Sequence, residues 1–151
     1  MLFLARQDLD LAFVELGSNN FSDFGSVMKN EVIVKSSAAV RAMPIGAGKG
    51  TSCSVLIGPG EAPNFALRKF VMEPGGGMPR HTNKVEHEQY ILKGGAEVGI
   101  GGETYQVKEG DVVFIPEGVP HWYKADGEAG FEFLCIVPNK PDTIEILDTG
   151  C

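Results

Sequence analysis

Short runs of β-branched and aromatic residues recur along this chain, each closed by a glycine, a proline or a charged residue, and no stretch carries apolar residues at helical spacing for three turns. The runs fall at 12–16, 31–35, 53–57, 65–72, 87–93, 96–100, 104–107, 111–115, 120–124, 131–137 and 143–147. Segments of that length and composition form strands. With 20 glycines and 9 prolines between them, they predict an all-β sandwich or barrel, because tight corners need residues that tolerate unusual backbone angles. One short helix is expected over 35–43, where Ser36 and Ser37 supply a start.

A chain of 151 residues, 43% of them hydrophobic, suffices for one sizeable core and not comfortably for two. A single domain is therefore expected, with its body at 51–138, an arm with extra strands over 1–50, and a final strand or tail over 139–151. Residues 17–30 read as a flexible loop, and the apolar segment 9–16 as a strand offered to a second copy in a homodimer. The formal net charge of -7 argues against nucleic acid, since a phosphate-tracking surface needs Lys and Arg gathered on one face. No apolar stretch approaches the roughly 20 residues that cross a bilayer, and Arg6 interrupts the apolar start before a signal core forms. Three widely spaced cysteines, Cys53, Cys135 and Cys151, lack any CxxC spacing and suit reduced thiols. A cytoplasmic protein with no membrane contact is the expected setting.

All three histidines, His81, His87 and His121, fall in two segments bounded by glycines and prolines. Histidine is the commonest metal ligand because its neutral ring offers a lone pair at working pH. If barrel curvature brings the loop and strand carrying His81 and His87 onto the turn carrying His121, one divalent ion receives three nitrogens and keeps positions open. The alternative is a barrel whose histidines pack without an ion.

Strand alternation says what would surround them. Lys69 and Glu73 mark the outward phase of 67–73 and turn Arg68, Phe70 and Met72 inward; Glu132 does the same for Phe131, Phe133, Cys135 and Val137. Gln89 and Ile91 share the phase of His87, and Tyr123 that of His121, so all of these are pocket candidates. Tyr90, Leu92 and Trp122 face the other way, to pack or to meet a partner. Arg68 either grips a substrate carboxylate or enolate with its planar fork or forms a salt bridge at the rim. Cys135 reads as a small buried hydrophobe lining the pocket. No general base stands out: Glu88 is in the wrong phase, which leaves Tyr123 as the candidate. The glycine-rich segments 75–77 and 46–51 lack the spacing and following helix of a phosphate loop.

In full, the first histidine segment runs from Gly75 through His81, Asn83, His87 and Glu88 to Gly94, and the second from Gly110 through Pro116 and Gly118 to His121. Together they resemble the paired signatures of the cupin superfamily. Gly75, His81 and Gly94 stand at the first motif's places, and the second motif matches through His121, with Ala125 where the family closes on Asn. Asn83 replaces the family's second histidine. His87 replaces its acid, with Glu88 one step out of register. Residues 62–68 and 133–138 are similar to a subgroup of small single-domain cupins with four histidine ligands, so the resemblance covers 62–138. It implies a double-stranded β-helix, or jelly-roll, barrel that binds one divalent transition metal, Mn, Fe, Zn, Ni or Cu, through His81, Asn83, His87 and His121. Such a site suits a metal-dependent enzyme acting on a small carboxylate or carbonyl substrate, such as a dioxygenase, isomerase or decarboxylase, with Arg68 and Tyr123, from the strand phases above, as catalytic candidates. A non-catalytic module that holds a metabolite or metal is the second class.

Overall fold

The computed structural model describes residues 31–147. The run at 12–16, the loop at 17–30, the dimer segment 9–16 and Cys151 lie outside the described residues. The helix expected over 35–43 is instead one 3-10 turn, Ser37–Ala39, opened by Ser36 Oγ accepting the Ala38 N–H at 3.3 Å. None of its residues is buried, so no apolar face repays the cost of extending it. Residues 31–35 form no strand.

Among the described residues nine strands follow: β1 (Met43–Pro44), β2 (Lys49–Ile57), β3 (Phe65–Thr82), β4 (His87–Ile100), β5 (Glu103–Lys108), β6 (Val112–Ile115), β7 (His121–Ala125), β8 (Phe131–Pro138) and β9 (Glu145–Ile146). Two long strands correct the sequence reading. The segment carrying His81, expected as a loop, is the last part of β3, which runs through the glycines at 75–77. The runs at 87–93 and 96–100 are one strand, β4.

All pairings are antiparallel, and the two long strands each serve two sheets. The first half of β3 lies between β2 and β8, whereas its far end pairs with β7 and β9. The first half of β4 pairs with β6 and β8, and its second half with β5 and β7. The sheets therefore face each other around one core, an all-β jelly-roll barrel. Close backbone approach at the crossings demands glycine. A Cβ on Gly77 would stand 2.1 Å from the Tyr123 carbonyl oxygen, and one on Gly94, at φ +72, would stand 2.0 Å from that of Gly130.

Met72, Ile91, Val98, Ile115, Phe131, Phe133 and Cys135 are almost wholly buried between the sheets. Each of the larger side chains contributes about 1.5–3 kcal/mol by leaving water. Phe133 stacks on Phe70 at 5.1 Å and on Tyr123 at 5.5 Å, a row of rings that runs from the core to the histidines.

Candidate metal centre

Three strand ends meet at one end of the barrel. His81, near the end of β3, sits directly across the ladder from His121, the first residue of β7. His87 opens β4 opposite Ile115. The loop between β3 and β4 is pinned by Val85, which is buried, and by the Gly118 N–H donating to the Asn83 carbonyl at 2.9 Å. The ring centroids of His81 and His121 lie 4.1 Å apart and those of His87 and His121 5.3 Å. Asn83 is buried beside them in the chain, at 4% exposure.

Local hydrogen bonds set the tautomers. His81 Nδ1 lies 2.7 Å from the Pro79 carbonyl and His121 Nδ1 2.9 Å from that of Val119, in each case two residues back. A carbonyl only accepts, so each Nδ1 carries the hydrogen and the lone pair falls on Nε2. Burial, then the charge of Arg68 and the neighbouring rings, pushes His87 down to about 2. Burial and His81 push His121 down to about 4 against the pull of the Val119 carbonyl, and burial lowers His81 as well. All three rings are neutral at neutral pH.

The Nε2 atoms of His87 and His121 and the Oδ1 of Asn83 are buried without a hydrogen-bond partner. Buried polar atoms left unpaired cost free energy, and two imidazole nitrogens with an amide oxygen form a donor set that suits a divalent cation. The rings rest on one another, and among the described residues no group of three or more His, Cys, Asp and Glu side chains stands at metal-holding geometry. Asn83 adds a donor outside those four residue types.

Around this cluster, Arg68 donates from Nη2 to Cys135 Sγ at 3.3 Å and lies over the Phe70 ring at 5.3 Å, while its Nε is buried without a partner. No carboxylate of the described residues forms a salt bridge with it, so the rim ion pair is absent there. Gln89 Nε2 donates to the Tyr123 hydroxyl at 2.6 Å, and Gln89 Oε1 has no partner. Burial pushes the Tyr123 phenol well up, only partly offset by Gln89; it keeps its proton at neutral pH and can donate but not abstract. Met72, Ile91, Phe133, Cys135 and Val137 are buried and Phe70 is half-buried against them. Tyr90 is exposed, whereas Leu92 and Trp122 are half-buried. An open groove of about 570 Å³, lined by Glu97, Gln106, Lys108, Lys124 and Asp126 among others, lies beyond the other end of β7, away from the histidines.

One residue escaped the sequence reading. Asp142, in the segment read as a tail, accepts from Asn83 Nδ2 and from the Lys84 backbone N–H, each at 2.8 Å. Fifty-nine residues separate it from Asn83, and no spacing motif announces the contact.

Residues 68–137 match the model of the Cupin domain family. The polyketide cyclase RemF from Streptomyces resistomycificus superposes with a TM-score of 0.70 at 28% identity, over 79% of this chain and 89% of that one. A cupin 2 domain-containing protein from Halorhodospira halophila does so at 0.61 and 30% identity, over 66% and 72% of the two chains. Mannose-1-phosphate guanylyltransferase from Klebsiella pneumoniae is 30% identical over 86 residues, 56% of this chain, and the match spans only 17% of that enzyme's length.

Proposed function

Because the chain belongs to the cupin superfamily, we propose that His81, His87, His121 and the Oδ1 of Asn83 hold one divalent transition-metal ion, Mn, Fe, Zn, Ni or Cu, in an enzyme acting on a small carboxylate or carbonyl substrate. The observation that carries this reading is the set of unpartnered buried lone pairs on His87, His121 and Asn83. When bound, the ion supplies Lewis-acid or redox chemistry at the positions these side chains leave open. Arg68 binds the substrate's anionic oxygens through its guanidinium, whose Nε–H the protein leaves unpaired. Phe70 and Phe133 exclude water along one wall, Tyr123 donates a hydrogen bond from its neutral phenol, and Gln89 Oε1 accepts one. Dioxygenation, isomerisation and decarboxylation all fit such a site. Likeness to a polyketide cyclase supports a substrate that carries carbonyl groups.

One observation favours the second reading, a non-catalytic module that holds a metabolite or metal: the candidate base, Tyr123, holds its proton. Oxygen uptake or product formation by metal-loaded protein against carboxylates, diketones and phenolics separates the two. The proposal includes a cytoplasmic setting and a homodimer, the latter supported by an outward strip of exposed Tyr90, Val112, Phe114 and Ile136 that runs across neighbouring strands β6, β4 and β8.

Elemental analysis of protein purified without chelator tests the ligand set. Wild type is expected to carry close to one ion per chain, and His87→Ala and His121→Ala little or none. Failure of the wild type to take up any of the five metals would remove the proposal.

A further inference from the structure

Both oxygens of the Asp142 carboxylate are committed, Oδ2 to Asn83 Nδ2 and Oδ1 to the Lys84 N–H, each at 2.8 Å. The segment that carries Asp142 is itself fastened to the barrel. In the β3–β9 ladder Thr82 pairs with Glu145 and His81 with Ile146, and the Leu147 N–H donates to the Arg80 carbonyl at 2.8 Å. The carboxylate is thus held in place independently of Asn83.

That contact decides which way the Asn83 amide faces. An ionised carboxylate only accepts hydrogen bonds, so the NH2 must face Asp142 and Oδ1 must face the other way. There it is buried and unpartnered, in a side chain only 4% exposed.

We propose that Asp142 is a positioning residue for the histidine cluster: it holds the Asn83 amide from behind and so aims and polarises the Oδ1 that completes a cation site. This rests on the metal-binding reading above. The amide relays the carboxylate's negative charge to the oxygen, as carboxylates behind metal-bound imidazoles do through the ring. An amide or an imidazole can serve at position 83, because each has a donor on one edge and an acceptor on the other. A carboxylate there would face Asp142 without a donor between them.

Asp142→Asn, which keeps the shape of the side chain, provides the test. With its oxygen still accepting from Lys84, the new amide turns its NH2 toward Asn83, which must flip and present NH2 to the cluster. Mn2+ titrated into chelator-treated protein is expected to bind at least tenfold more weakly in Asp142→Asn, within the 10–100-fold range for such supporting groups. Asn83→Ala should lose as much, and adding Asp142→Asn to it should cost nothing more. The exchange Asn83→Asp with Asp142→Asn restores a donor between the two side chains, and with it Mn2+ affinity at or above that of wild type. A merely structural role would lower the melting temperature and persist in the Asn83→Ala background, without rescue by the exchange. Wild-type affinity in Asp142→Asn, or an equal further loss in the Asn83→Ala background, overturns the proposal. His121→Ala separates the two readings: if it binds Mn2+ like wild type, the metal centre fails on its own. In that event the Asn83 side-chain NH2 resonances of the metal-free protein decide whether Asp142 holds the amide; identical resonances in wild type and Asp142→Asn would show that it does not.

Discussion

His121 is buried among two other imidazoles, with its Nδ1–H committed to Val119, and burial holds it down to about 4 against an ordinary value of 6.5. Between those values the unfolded chain binds a proton at residue 121 that the native protein does not. Stability of the metal-free protein is therefore full above pH 6.5 and falls as the pH falls toward 4, with His87 extending the loss toward about 2. From pH 7 to pH 5, His121 alone should remove on the order of 2 kcal/mol. Urea unfolding of chelated protein at the two pH values measures this, and His121→Gln should shrink the difference by about that amount, leaving the share of His87 and His81; equal stabilities in the wild type would mean that the rings protonate freely in the native state. The inward phases of 131–137 were legible because Glu132 alone marks the outward face. The partner of Asn83 was not, because Asp142 reaches it through a contact between distant segments.

β3 and β4 work as elements because each bends from one sheet into the other. Sequence showed the glycines of these bends but read them as boundaries, and so cut β4 into two strands. Hydrogen-bond ladders continue across them in the structure, since a glycine can take the bend without leaving the strand. At Gly94 two penalties coincide, a φ of +72 and a Cβ 2.0 Å from the Gly130 carbonyl oxygen. Gly94→Ala should cost about 2–5 kcal/mol, combining the left-handed strain with overpacking against backbone. Gly102, whose Cβ would meet nothing within 4 Å, provides the control, with Gly102→Ala expected within about 0.5 kcal/mol of wild type. Equal urea midpoints for the two variants would contradict the role given to the β4 bend.

At the scale of the whole molecule, the strip of Tyr90, Val112, Phe114 and Ile136 is apolar surface that a lone barrel leaves in water. Light scattering after size exclusion should give twice the chain mass, and Phe114→Glu should shift it toward the monomer while leaving metal content unchanged. A monomeric wild type would end the homodimer reading. The sequence by itself determined the all-β class, the inward and outward faces of its strands and the two histidine segments, because a strand's side chains alternate with period two and its corners select Gly and Pro whatever lies elsewhere in the chain. Only the tertiary structure decided that β3 and β4 cross between sheets, that His81 stands opposite His121, that burial pushes the Tyr123 phenol up and that Asp142 orients Asn83. Those outcomes depend on which distant backbones meet, and on how far burial removes water from the groups between them.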